Sequence, residues 1–270
     1  MPDNTSSAWD LIVAPWHMDE HIPDFPVPVG TVATIGPSRP DGDVPGRVTM
    51  LQRAVADAVA GATRPLLLSG DCAAGLAVAA GLQERYPEIA VVWLDAHGDF
   101  NTPAITISGY LGGMALAMLT GHGPEVFADP LGLRPVPERN VVLADARDLD
   151  PAEREALEAS QVRRIPATAD ACRAALSGLR HLPVYLHVDV DVMDGGEVPG
   201  LRFPTDHGPA LGDVADCLTA ITATTNVVAA CLVCAWLPGQ VSRRAPREAI
   251  ARLAGALGAR LTWTPAGTPG

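Results

Sequence analysis

An α/β fold, with a mostly parallel sheet held between two helical layers, is predicted by three features of this 270-residue sequence. Short apolar runs rich in Val, Leu and Ile recur along the chain, and runs of that length without alternation read as strands buried on both faces. Segments with apolar residues at helical spacing stand between them, so strands and helices alternate throughout. No low-complexity linker divides the chain. Its 48% apolar content and 26 glycines suit one α/β domain over residues 1–270.

The elements follow in order. Leu11 to Ala14 reads as a first strand, and the Pro- and Gly-rich stretch from Pro15 to Pro45 as a long loop with a strand near Thr31 to Ile35, its His17 and His21 at the surface. Val48, Leu51, Val55 and Val59 define a helix from Val48 to Ala62. Leu66 to Leu68 is a strand, which a glycine turn and an Ala-rich helix from Ala73 to Tyr86 join to a strand at Val91 in one βαβ unit. That unit is expected to set Asp71 and Cys72 beside Asp95. A helix is expected from Met114 to Thr120, then a strand from Val141 to Ala144 and a helix from Pro151 to Ala159, started by Asp150 as cap and Pro151 at the first position. Strands at Val162 to Ile165, Val184 to Val188 and Val227 to Val233 alternate with helices at Ala169 to Ser177, Leu211 to Ala223 and Pro246 to Leu257.

Composition narrows the function. A formal charge of −12 argues against nucleic acid or an anionic membrane as partner and favours a small cationic or polar substrate, and it leaves room for a homo-oligomer. The opening MPDNTSSAWD lacks the basic and apolar regions of a signal peptide, and no apolar run is long enough to span a bilayer. Five irregularly placed cysteines point to reduced thiols in a cytoplasm. Cys231 and Cys234 lie within an apolar run and read as buried small hydrophobes.

The chemistry is concentrated at two strand ends. The run VVWLDAHGDFNTP from Val91 to Pro103 delivers Asp95, His97 and Asp99 at alternate positions, and His187 to Asp191 delivers Asp189 and Asp191 the same way. Alternate residues share a face of an extended chain. Two strands therefore bring four carboxylates and an imidazole to one sheet edge, where open parallel sheets place ligands. Carboxylates gathered there repel one another, and divalent cations are the economical reason to gather them, two metals being favoured over one.

These motifs resemble the arginase and agmatinase ureohydrolase family from about Leu66 to Pro238. The family's GGDHS turn matches Ser69 to Ala73, its DAHxD motif Asp95 to Asp99, and its SxDxDxxDP motif His187 to Gly195. The resemblance implies a single-domain, arginase/deacetylase-like α/β/α fold and a binuclear Mn2+ pair, bridged by hydroxide, that hydrolyses a guanidinium to urea and an amine. It implies one ion held by Cys72, Asp95, Asp99 and Asp189 and the other by Asp95, His97, Asp189 and Asp191, with Asp99 also stabilising the tetrahedral intermediate and passing a proton to the leaving nitrogen. Asn101, Thr106 and Ser108 fall where arginases contact the substrate α-carboxylate. Arg147, Asp148, Asp150 and Glu153 match the RDxDxxE segment, whose second Asp, Asp150 here, meets the α-amino group. Together these imply an amino acid substrate.

Three departures shape the expectation. Cys72 replaces a metal-binding His, and the thiol with the run GDFNTP and Gly109 to Met114 resembles the subgroup that hydrolyses Nω-hydroxy-L-arginine. Gly112 stands where arginases carry a proton-shuttling His, which that subgroup also lacks. Ala235 or a neighbour stands where the family has a guanidinium-binding Glu, and no acid lies between Asp216 and Glu248. The expected function is a metal-dependent amidinohydrolase acting on a guanidino or N-hydroxyguanidino amino acid to give urea or hydroxyurea. Its rivals are a non-catalytic relative serving as a binding or oligomer partner, and a different C–N hydrolase with a formimino or amide substrate. The missing Glu separates the first from the other two.

Overall fold

The computed structural model describes residues 8–36 and 42–263, so residues 1–7 of the polar opening segment lie outside it. Its strands are β1 (Asp10–Ala14), β2 (Trp16–His17), β3 (Glu20–His21), β4 (Ala33–Thr34), β5 (Pro65–Ser69), β6 (Ala90–His97), β7 (Val141–Asp148), β8 (Arg163–Ile165), β9 (Pro183–Asp189) and β10 (Asn226–Val233). Its helices are α1 (Val44–Gly61), α2 (Ala74–Leu82), α3 (Ala115–Leu119), α4 (Ala128–Leu131), α5 (Pro151–Ala159), α6 (Ala169–Leu176), α7 (Leu211–Thr224) and α8 (Arg244–Ala256).

Eight strands form one sheet in the order β4-β1-β5-β10-β9-β6-β7-β8, and every neighbouring pair is parallel. Successive side chains point to opposite faces. Leu67, Val91 and Trp93 therefore pack against Val55 of α1, Leu76 of α2 and Leu116 of α3, while Leu66, Leu68 and Val92 pack against Cys172 of α6, Leu218 of α7 and Ile250 of α8. Both faces are dry, which is why these strands read as unbroken apolar runs. The three-layer α/β/α architecture is the one expected.

Several boundaries differ for physical reasons. Helix α1 starts four residues before its apolar periodicity, because the Asp43 side chain accepts from the Gly46 N–H at 3.0 Å and Pro45 occupies the first turn. Helix α2 ends at Leu82 rather than Tyr86, and it lies close to α1: a β-carbon on Gly81 would fall 2.5 Å from the Ala56 carbonyl oxygen. The antiparallel pair β2 and β3 inside the Pro-rich stretch had no periodicity to betray it. It buries His17, whose expected surface position is thereby corrected, while His21 is exposed.

The expected βαβ unit is also corrected. Strands β5 and β6 are not neighbours, because β10 and β9 are inserted between them. Cys72 still reaches Asp95, with Sγ 3.8 Å from Oδ2, but the Asp71 side chain turns elsewhere, toward Tyr110 and the Ala73 N–H. The consequence for the site is favourable. The carboxyl ends of β5, β10, β9, β6 and β7 stand side by side, and the motif residues lie at or just beyond four of them.

Candidate metal centre and active site

A cavity of about 290 Å³ opens at these strand ends. Cys72, Asp95, His97, Asp99, Asn101, Ser108, Asp148, Asp150, Glu153, Asp189 and Asp191 all border it. Thr106 does not; its hydroxyl accepts from the Gly109 N–H at 3.0 Å and holds the turn that carries Ser108. Gly70, Asp71, Tyr110, Gly112, Gly113, Phe203, Val233 and Ala235 complete the wall.

Local backbone geometry aims the acids. Between Asp95 and His97 the β6–β7 register shifts, so Asp95 pairs with Asp145 but His97 pairs with Asp148. That irregularity re-aims His97, whose Nδ1 lies 3.3 Å from Asp95 Oδ1 and 3.2 Å from Asp191 Oδ2. Asp99 sits at φ 47°, a left-handed conformation uncommon outside glycine and held here by its carbonyl accepting from the Ala117 N–H at 3.0 Å. Asp189 Oδ1 accepts from the Asp191 N–H at 2.9 Å, and its Oδ2 lies 3.0 Å from Cys72 Sγ.

Arg147 fixes the segment behind the cluster. Its guanidinium donates to the carbonyls of Val192 at 2.9 Å, Thr205 at 2.8 Å and Asp206 at 3.0 Å and pairs with Asp145, so it holds the turn after β9 rather than facing the cavity. Glu153 behaves similarly although it borders the cavity: Oε1 accepts from the Phe100 N–H at 2.8 Å and Oε2 from the Asp150 N–H at 3.3 Å. Asp150 is the cap of α5 and accepts from Asn101 Nδ2 at 3.3 Å. Asp148 is exposed, 4.0 Å from His97 Nε2.

The electrostatics of this cluster ask for cations. Asp95, Asp99, Asp189 and Asp191 are buried, and His97 is the imidazole paired with them. Burial alone would lower the His97 pKa, but its hydrogen bonds to Asp191 and Asp95 outweigh that and raise it to about 12. Burial and the charge of Asp95 push Asp191 up to about 7, and burial with neighbouring carboxylates pushes Asp99 and Asp189 well above the usual range. Burial, then Asp99, Asp189 and Asp95, holds Cys72 as a thiol. Asp99 Oδ2 is buried without a partner. Hard carboxylate oxygens, the His97 imidazole, one thiol and a bare oxygen suit divalent cations, since a cation removes the repulsion and deprotonates a coordinating thiol outright. Among the described residues two groups have ligand atoms close enough to hold an ion, Cys72 with Asp95 and His187, and Asp95 with His97 and Asp191. Asp95 belongs to both.

His187 was not among the residues expected from sequence to hold metal, because it precedes the acids inside an apolar strand. Tyr110 was missed too. Its hydroxyl donates to Asp71 Oδ2 at 2.8 Å, and its ring faces His17 at 5.7 Å and Phe203 at 5.3 Å. At the end of β10, Ala235 borders the cavity and brings no acid, as the sequence suggested.

The model of the arginase family matches residues 13–255. Nω-hydroxy-L-arginine amidinohydrolase of Streptomyces lavendulae is 34% identical over 154 residues, covering 55% of this chain and 53% of the relative. Arginase of Brevibacillus brevis is 33% identical over 168 residues, covering 58% and 56%. The chain thus spans about half the length of the curated relatives it matches. Among solved structures, arginase from Bacillus caldovelox superposes with a TM-score of 0.80 at 19% identity, covering 93% of this chain and 97% of that one, which speaks for the fold. Among the described residues no helix is long and apolar enough to cross a membrane.

Proposed function

The chain belongs to the arginase family, and on that premise we propose that it is a metal-dependent amidinohydrolase acting on a guanidino or N-hydroxyguanidino amino acid. The observation that carries this reading is the buried cluster of Asp95, Asp99, Asp189 and Asp191 around one imidazole, with Asp99 Oδ2 unpartnered. One Mn2+ would be held by Cys72, Asp95, Asp99 and Asp189, and a second by Asp95, His97, Asp189 and Asp191. Bound there, the ions supply positive charge and a water of lowered pKa.

The protein's own groups would do the rest. Asp99, dry and held at a left-handed backbone position, carries a proton to the departing nitrogen. Asn101 and Ser108 offer neutral hydrogen bonds to the α-carboxylate, and Asp148 and Asp150 offer charge to the α-amino group. Glu153 and Thr106, taken from the resemblance as substrate contacts, are better supported as supports of the Asp99 loop and the Ser108 turn. With alanine at position 235, the cavity gives a full guanidinium no carboxylate on β10, which favours the less basic hydroxyguanidine. A cytoplasmic setting and a homo-oligomer belong to the same reading, and sedimentation of the purified chain checks the second.

The deciding experiment loads the protein with Mn2+ and offers arginine, Nω-hydroxyarginine, agmatine and formiminoglutamate, scoring urea, hydroxyurea and ammonia. Hydroxyurea from Nω-hydroxyarginine is the expected result. Product from formiminoglutamate alone would move the chain to another C–N hydrolysis, and no turnover of any of the four would support a non-catalytic role.

A further inference from the structure

We propose that His187 is a ligand of the ion nearer β5, its Nε2 binding beside the Cys72 sulfur and Asp95. This rests on the binding of divalent ions put forward above and adds a donor to it. His187 lies on β9 two positions before Asp189 and so on the same face, level with Trp93 of β6 and Cys231 of β10. Its side chain is fully buried. The imidazole lies flat on the Trp93 indole, ring centroids 3.4 Å apart and planes 7° from parallel.

Packing explains the stack but not the nitrogens. Nδ1 is 2.9 Å from the Tyr185 hydroxyl, while Nε2 is buried with no partner. A buried polar atom left bare is costly, and an aromatic hydrocarbon would fill the same space without that cost. Ligand atoms of His187, Cys72 and Asp95 lie within 4.8 Å of one another. Helix α2 also leaves room for the ring: a β-carbon on Gly75 would fall 2.8 Å from Nδ1. A hydroxyl on the far nitrogen is the arrangement that orients a ligating histidine and fixes its tautomer. Imidazole, thiolate and carboxylate together form a softer set than carboxylates alone, so the margin by which Zn2+ or Co2+ outbinds Mn2+ is expected to be larger at this ion than at the one beside His97.

The test uses the full chain and the metals alone. In the Co2+-loaded wild type, two hyperfine-shifted exchangeable imidazole N–H resonances are expected, from His97 and His187, and the buried one should persist longest in D2O. His187→Phe keeps a ring on Trp93 and removes both nitrogens; it should lose the persistent resonance and bind one of two Zn2+ ions at least tenfold more weakly. His187→Gln serves if the Phe variant does not fold, and the same loss is expected. A single imidazole resonance in the wild type, or wild-type Zn2+ affinity in a folded His187 variant, would overturn the assignment while leaving the two-ion reading intact. Failure of the wild type to bind any divalent ion would overturn both.

Discussion

The ring of Tyr110 fills the space into which a side chain on Gly112 would project, and its hydroxyl is anchored to Asp71 at 2.8 Å. The space beside position 112, where the resemblance sets a histidine, is therefore filled by an aromatic residue two positions earlier. Placing a histidine there should fail. Gly112→His is expected to cost about 1–3 kcal/mol through overpacking, read as a drop of several degrees in Tm, and Tyr110→Ala should recover much of that loss in the double variant. Equal melting temperatures for wild type and Gly112→His would contradict the packing argument.

Asp95 faces both ligand groups, with Oδ2 toward Cys72 and the Trp93 Nε1–H and Oδ1 toward His97. Replacing it by alanine should release both ions together, whereas His97→Ala should release one. Metal analysis after dialysis decides the matter, and two ions retained by Asp95→Ala would refute the shared role.

Much of this site could be read before the fold was known. Asp95, His97, Asp189 and Asp191 were legible because alternation after an apolar run fixes both their face and their end of the sheet. The insertion of β10 and β9 between β5 and β6 was not, since strand order depends on crossovers that leave no local periodicity. His17 and His187 were hidden for opposite reasons: one sits in a short hairpin within a Pro-rich stretch, the other inside a strand where position alone suggests packing. Tyr110 could have been found by asking what fills the space beside a glycine where a bulky residue was expected.

Glu153 ties the Asp99 loop to α5 through two backbone N–H groups. In Glu153→Gln one of those donors meets an amide NH2, leaving a buried donor unpaired at a cost of about 1–3 kcal/mol. The turnover number should fall more than KM rises, because the loop that aims Asp99 loosens while the residues nearer the substrate's amino acid end remain. A rise in KM with unchanged kcat would instead make Glu153 a substrate contact.

The metal-free protein should lose stability as pH rises from about 6.5 to 8, above the range in which His187, lowered to about 3 by burial, makes stability rise with pH instead. Asp191, raised to about 7 by burial and Asp95, and His97, raised to about 12 by Asp191 and Asp95 against the effect of burial, both hold protons in the folded state that the unfolded chain has released. Where the native state binds more protons, stability falls with pH. Divalent ions displace those protons, so their stabilisation should grow over the same range. Thermal melts with and without Mn2+ at pH 7 and 8 check this, and a metal-induced shift in Tm that shrinks with pH would refute it.

Ala235 is the position where a single side chain should change what the cavity accepts. It borders the cavity at 4% exposure, close to Val233 at the end of the strand between β5 and β9, and carries no charge. Arginine enters as a full cation, and a guanidinium taken out of water beside two divalent ions needs an anion near it, or the desolvation is uncompensated by several kcal/mol. Asp71 is already bonded to Tyr110 and the Ala73 N–H, and Glu153 to two backbone donors, so neither is free to move there. Ala235→Glu should therefore raise kcat/KM for arginine by about tenfold or more, equivalent to about 1.4 kcal/mol of transition-state stabilisation, with a smaller change for Nω-hydroxyarginine. Ala235→Gln, of the same shape without the charge, should give no such gain. Efficient arginine turnover by the wild type, or an equal gain from glutamine, would show that the missing carboxylate does not set the preference.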